Sequence, residues 1–341
     1  MEEFTADTKN KKFNSESVRF SYEKNNLKDI KDMWQKTFMD RDSFVEYYFQ
    51  NVWPENKVLS AYIEDRLVGM VHLNPYEISY MGEKCKSYYV VGVAVTPDMR
   101  RRGIMRAMLE KIIRDLKNEC PFIFLMPEKE EYYTGLGFKK VYNTKILELG
   151  IIDREKANRD IVDNLASLKL EINRQSLIGK RELEKFSEWL NAIMTGQYNA
   201  FSVRNSKYMQ RLLMEHICQH GDVNIVTETE NGDNGEVIYH NFVGTFAYDI
   251  CDDIMYIERF WSSRGNMMAL LNCGIKQALD VSCDRLEITL CQEDVEDVKH
   301  LAEGVNMNIR DGKGIMVRGL SEPTNRVASN LLSKCFFDEI V

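Results

Sequence analysis

The chain has 341 residues, 44% of them hydrophobic and 11% aromatic, enough for ordinary packed cores and, at this length, for two domains rather than one. Lys plus Arg is 45 against 53 for Asp plus Glu, a net charge of −8, which argues against a nucleic-acid partner. No apolar stretch approaches the roughly 18–20 residues that span a bilayer, and Met1–Ser17 lacks the apolar centre of a secretory signal.

The eight cysteines are scattered with no CxxC pair, which reads as reduced thiols of a cytoplasmic protein rather than disulfides or zinc ligands. Residues 1–16 read as a disordered tail. Leu27, Ile30, Met33, Trp34 and Phe38 then recur at spacings of three and four, the pattern of an amphipathic helix. A second helix carries Phe44, Tyr47 and Tyr48, with Asp40 and Asp42 placed for its N-cap and first turn. Two strand-like runs, Val58–Glu64 and Leu67–Leu73, join through Asp65 and Arg66. A further strand, Glu77–Tyr80, turns through Met81-Gly82-Glu83 into Cys85–Thr96. Pro97–Arg102 is a loop and Gly103–Glu119 an amphipathic helix. Phe122–Met126 is a buried strand ended by Pro127, Glu128–Gly135 a short helix and Phe138–Leu149 a returning strand. This order predicts a mixed α/β domain over residues 17–150.

Residues 151–184 form a charged, helix-prone connector. A second set follows over 185–320: helices at 184–195 and 205–219, strands at 223–228, 241–249 and 254–261, a helix at 266–280, and strands at 285–291 and near 314–318. The order partly repeats that of the first domain and points to tandem copies of one fold. Residues 321–341 are a C-terminal tail with a short helix at Arg326–Phe337.

The sharpest segment runs from Val91 to Leu109. An alternating strand enters a loop with three consecutive arginines, Arg100, Arg101 and Arg102, then Gly103, and passes directly into a helix. A helix start offers unpaired N–H groups and a partial positive charge. Gly103 removes a side chain where an anion must approach the backbone, and the arginines with Arg106 add charge-assisted hydrogen bonds. The combination reads as a pyrophosphate cradle; a solvated basic turn capping a helix is the plainer alternative.

Strand, (Q/R)-x-x-G-x-(G/A) loop and helix resemble motif A of the GNAT N-acetyltransferases. Arg100 and Gly103 match its first positions, whereas Met105 stands where a small residue is usual. More narrowly the chain resembles the enhanced intracellular survival (Eis) type, with tandem GNAT domains and a V-x-V-x-P-x-x-R-R-R-G run that Val93, Val95, Pro97 and Arg100 to Gly103 reproduce. The resemblance implies an α/β fold, an α+β mixed sheet in tandem GNAT-like domains with the second degenerate, and acetyl-CoA as co-substrate without a metal. It implies that Val93, Ala94 and Val95 pair with the pantetheine arm, and that Arg101, Arg102, Gly103, Ile104, Met105 and Arg106 hold the pyrophosphate. Glu128 and Lys129 would line the cofactor. In the Y-x-x-x-G-F pattern Tyr133 falls where family members carry the acid that protonates the leaving thiolate, with Tyr132 the neighbour that would pack instead. The Eis type also has a sterol-carrier-like domain whose terminal carboxylate reaches the site. About 20 residues after the second repeat are too few for that domain, and Val341 is a poor substitute for it.

Other features are weaker. His216 and His220 have an i, i+4 spacing but neither the Glu of HExxH nor a third ligand, so they read as the polar end of a helix. His72, Trp34, Phe38, Phe44 and Tyr48 read as core, and Asp40, Asp42 and Glu46 as caps or surface, although they fall where GNAT folds form acceptor pockets. Ser262-Ser263-Arg264-Gly265-Asn266 occupies the cradle position of the second repeat with one arginine in place of three. The expectation is acetyl transfer to an amine, with the acidic surface favouring cationic acceptors; an oligomer is open. The rival is a non-catalytic acyl-CoA-binding sensor or partner-binding module.

Overall fold

Amphipathic spacing at the start of the chain builds the helices it calls for. The computed structural model describes residues 18–231, 237–263, 265–298, 301–320 and 335–337. The expected tail at 1–16 lies outside these. A short strand, β1 (Val18–Ser21), precedes helix α1 (Leu27–Phe38), which turns Ile30, Met33 and Trp34 into the core. α2 (Asp42–Tyr47) runs on into one π turn at Tyr48–Val52. Its capping differs from the expected one. Arg41 holds the N-cap position without a side-chain bond, Asp42 lies in the first turn, and Asp40 instead accepts a hydrogen bond from Trp34 Nε1 at 2.8 Å.

An antiparallel meander follows: β2 (Lys57–Ile63), β3 (Arg66–Tyr80) and β4 (Glu83–Val95). The segment expected as a separate strand at Glu77–Tyr80 is the second half of a continuous β3. Pro75 does not break it, because there one edge of β3 lies between two strand neighbours, β2 reaching only Leu73 and β8 starting only at Ile78. Next come α3 (Ile104–Asp115), β5 (Phe122–Leu125) parallel to β4, α4 (Glu131–Thr134) and β6 (Lys139–Ile151).

The expected connector is structured. It holds α5 (Arg154–Ser167), strand β7 (Leu170–Arg174) and the start of α6 (Lys180–Gln197). β8 (Ala200–Ser202) and α7 (Ser206–Ile217) lead into a second meander, β9 (Asp222–Asn231), β10 (Val237–Cys251) and β11 (Ile254–Ser262). α8 (Met267–Asp280) then crosses to β12 (Arg285–Cys291), parallel to β11. Meander, helix and parallel strand thus occur twice.

The halves share one sheet, in the order β1-β2-β3-β4-β5-β13-β6-β12-β11-β10-β9-β7. The strand expected near 314–318 is the end of a longer β13 (Val305–Gly319), inserted between β5 and β6. It pairs Met316 with Leu125 on one side and Val317 with Lys139 on the other, so a late segment completes the first half. Where a tail helix was expected at Arg326–Phe337, Cys335–Phe336 form β14 beside β8, and Phe337 stacks on Phe124 with ring centroids 4.5 Å apart. The rest of that expected helix lies outside the described residues. One face of the first half buries Leu59, Val71, Val90, Met108 and Ile123 beneath α3. The opposite face packs Trp34, Tyr48 and Phe49 beneath α1 and α2.

Candidate functional site

β4 and β5 separate soon after they meet. Their only paired residues are Tyr88–Ile123 and Tyr89–Phe124. Farther along, β4 carries a bulge: Met70 faces Ala94 and His72 faces Val91, which leaves Gly92 and Val93 opposite Val71. Bulges increase local twist and bend the strand. Gly92 has φ 59°, and a Cβ there would lie 2.5 Å from Trp34 Cζ3 and 3.2 Å from the His72 ring, so the bulge needs glycine twice over. Val93 and Val95 pack their side chains towards α3, and Ala94 is buried towards α1. On the β5 side, the backbone from Val90 to Val95 has no strand partner among the described residues. Sequence patterning could not show this gap, because it depends on where β5 stops pairing.

The turn after β4 is held from both sides. Arg66 pairs with Asp98 at 2.8 Å, which with a hydrogen bond from Thr96 holds the Asp98 carboxyl down at about 2. Arg100 Nε donates to the Val95 carbonyl at 3.1 Å and so caps the strand. Arg101 (φ 61°) and Gly103 (φ 82°) are left-handed, and this coil delivers the chain to α3. A Cβ on Gly103 would meet nothing within 4 Å; conformation, not space, calls for glycine. The first bond of the turn runs from Ala107 N to Gly103 O, which leaves the N–H groups of Ile104, Met105 and Arg106 without an intrahelical partner. Arg101 and Arg102 are exposed and make no ion pair among the described residues. Met105, the departure from the motif, packs its side chain against the core beneath α3. Its bulk therefore need not obstruct the helix start.

Arg106 is differently employed. It pairs with Glu110 at 2.9 Å and donates to the Gly135 carbonyl at 3.4 Å, which ties α3 to the loop after α4. On α4 the two tyrosines take opposite places from those considered for them. Tyr132 is 53% exposed beneath Lys129, and Tyr133 is buried, with its ring edge-on to Phe138 at 5.7 Å. Burial pushes the Tyr133 phenol up to about 12. Glu128 and Lys129 stand on the exposed loop between β5 and α4, Glu128 paired with Lys313 of β13 at 2.6 Å.

His72 is fully buried, with Nδ1 3.0 Å from the Tyr48 hydroxyl, and burial lowers its pKa to about 3. It supports the bulge. Trp34, Phe44 and Tyr48 are buried as core, Phe38 half-buried, and Glu46 pairs on the surface with Lys31. His216 is buried and 2.7 Å from Asp249, while His220 lies beyond the end of α7, so the two do not share a helix face. Among the described residues no group of three His, Cys, Asp or Glu side chains could hold a metal. In the second half Gly265 has φ 83°, closely matching Gly103, whereas Arg264 lies outside the described residues.

Residues 20–141 match the acetyltransferase (GNAT) domain family. The whole fold resembles that of a conserved protein of Enterococcus faecalis V583 described as a probable N-acyltransferase. That likeness has TM-score 0.64 and 14% identity, over 89% of this chain and 72% of that one. A GCN5-related N-acetyltransferase of Kribbella flavida gives TM-score 0.61 at 14% identity over 91% and 74%. Eis1 of Mycobacterium abscessus gives 0.54 at 13% over 89% and 73%. No curated protein matches the sequence.

Proposed function

With residues 20–141 a GNAT acetyltransferase domain, we propose that this protein transfers an acetyl group from acetyl-coenzyme A to an amine at the gap between β4 and β5. One observation carries this reading. Two features lie a short turn apart: the edge of β4 at Val93, Ala94 and Val95 that faces no strand on the β5 side, and the free N–H groups of Ile104 to Arg106 flanked by Arg101 and Arg102. An extended pantetheine arm suits the first as an added strand, and a pyrophosphate suits the second. Glu128 and Lys129 border the same cofactor in this reading.

The acceptor amine attacks as the free base. The N–C bond forms, the C–S bond breaks, and the amine proton passes to water. Backbone N–H groups at the bulge polarise the thioester carbonyl. Tyr133 donates its phenolic proton to the departing thiolate, and its raised pKa keeps the phenol protonated at neutral pH. The catalytic domain in this reading is 17–150 completed by β13, joined through 151–184 to a non-catalytic GNAT-like domain at 185–320. We place the protein in the cytoplasm. The seven cysteines described are free thiols, and among the described residues no helix is long and apolar enough to cross a membrane.

Thiol release from acetyl-CoA across a panel of primary amines tests the reading. Amine-dependent release is expected. Acetyl-CoA binding without release for any amine would leave a binding module, not an enzyme.

A further inference from the structure

A cavity of about 490 Å³ lies on the sheet face opposite α3, between β3, the start of β4, α7 and Arg259 of β11. Its wall reaches β5. Tyr76 lines it and packs against Phe124 at 6.1 Å, and Phe124 is the residue of β5 that pairs with Tyr89 where β4 and β5 last meet. The cavity therefore lies beside the last β4–β5 pair, beyond which the gap opens, on the sheet face away from α3.

The charges around it do not cancel. Five cations line it, Lys84, Lys86, Lys207, Arg211 and Arg259, against three carboxylates, Glu55, Glu77 and Glu215. All three carboxylates are committed: Glu77 to Lys84 at 2.8 Å, Glu55 to Lys207 at 2.7 Å, and half-buried Glu215 to Arg259 at 3.4 Å. Lys86 lies over the Tyr88 ring. Arg211 is half-buried, with its guanidinium 5.7 Å from the Tyr76 ring, and no carboxylate of the described residues comes within ion-pair distance of it. Its helix is anchored at that point, because the Tyr47 hydroxyl donates to the Arg211 carbonyl at 2.9 Å. Tyr208 adds a second aromatic wall, 6.3 Å from Tyr76.

A half-buried guanidinium near the Tyr76 ring, in a cavity that Tyr208 also lines, matches a planar or tetrahedral oxyanion attached to an apolar body. We propose that this cavity is the acceptor pocket and that the acceptor amine carries a carboxylate or phosphate, which Arg211 binds. This rests on the acyl-transfer reading for the word acceptor, but the anion site itself does not. It also reverses, locally, the preference for cationic acceptors that the net charge of −8 implies.

Calorimetry on the full chain with coenzyme A present tests it, using N-acetylphenylalanine, its neutral amide, and phenyl phosphate. Tighter binding of the carboxylate or the phosphate than of the amide by at least tenfold is expected, with the stronger of the two identifying the oxyanion. Arg211→Gln should abolish that preference while leaving acetyl-CoA affinity unchanged, which also shows the variant is folded; Arg211→Lys should restore part of it. Equal binding of charged and neutral probes, a preference that survives Arg211→Gln, or no binding of either anion would overturn the proposal. Anion binding through Arg211 without amine-dependent thiol release would instead remove the acyl-transfer reading and leave the anion site standing.

Discussion

The crossover units β4–α3–β5 and β11–α8–β12 follow one backbone plan and differ in what covers it. Each has a bulge just after its last parallel pair: β4 at Gly92–Val93, beyond Tyr89, and β11 at Glu258, beyond Ile257 and skipped where Ala247 faces Arg259 and Tyr248 faces Ile257. Each turns into its helix through a glycine near φ 82°. But α3 buries only Ile104, Met108, Leu109 and Ile112, and its outward face carries Arg106. α8 is buried nearly all round because α5 lies across it, with Asn272 Nδ2 bonded to Asn164 Oδ1 at 3.0 Å. Between β11 and β12 a cavity of only about 20 Å³ remains, bordered by Phe260, Leu290 and Phe337. Backbone geometry is therefore retained in both units. The helix with an exposed outward face and the larger number of arginines at its start mark the one proposed to bind.

The largest effect expected from breaking that distinction lies at Tyr133, which has no counterpart in this comparison. Tyr133→Phe keeps the ring against Phe138, so folding and acetyl-CoA affinity should hold while kcat falls by a factor on the order of 10²–10⁴. Tyr132→Phe, on the exposed side of α4, should stay within a few-fold of wild type. Steady-state thiol release measures both. Equal activity of Tyr133→Phe and wild type would remove this tyrosine from the mechanism.

Next in size is the arginine turn. Replacing Arg101 and Arg102 together by Ala removes two charge-assisted contacts of about 1.5–3 kcal/mol each, so acetyl-CoA affinity should drop at least tenfold. Calorimetric stoichiometry should be one acetyl-CoA per chain. A value near two would make the α8 turn a second site and end the comparison.

Acid should also separate the halves. His72 supports the first bulge, buried and neutral, with its pKa lowered by burial to about 3. Between the unfolded value near 6.5 and that value, only the unfolded state carries the proton, so native stability falls as pH falls, by about 1.4 kcal/mol per pH unit. Unfolding followed through Trp34 and Trp53, whose rings lie 5.0 and 5.6 Å from His72, should show this slope, and His72→Asn should flatten it. An unchanged slope in that variant would place the acid sensitivity elsewhere.

The sequence made local chemistry legible and long-range pairing illegible. Alternation and helical spacing located α1, the β2–β4 meander and α3 because each signal lies within one short segment. The arginine turn was visible for the same reason. β13 was seen only at its end, since its exposed stretch Asn306–Asp311 has just two apolar residues, Met307 and Ile309, both solvent-facing, and owes its strand form to β6 beside it. Tyr132 and Tyr133 are adjacent in a four-residue helix, too short for periodicity to say which faces inward. Arg211 carried no signal. Its interest comes from Tyr76 and Glu215 around it, and from the carboxylates committed elsewhere.

The smallest and most discriminating test uses the two glycines. Gly103 and Gly265 share a left-handed φ, and a Cβ at either would meet nothing within 4 Å. Alanine at either site therefore pays only the backbone penalty of that conformation, about 1–2 kcal/mol, and the two variants should lose similar stability in urea. Their effects on acetyl-CoA should part. Gly103 begins the helix whose free N–H groups are proposed to face the pyrophosphate, so an added methyl and a shifted turn should weaken binding several-fold. Gly265 precedes a helix covered by α5, so Gly265→Ala should leave affinity as it is. Equal losses of affinity would mean that stability, not contact, governs the response, and unchanged affinity in Gly103→Ala would move the pyrophosphate off this turn.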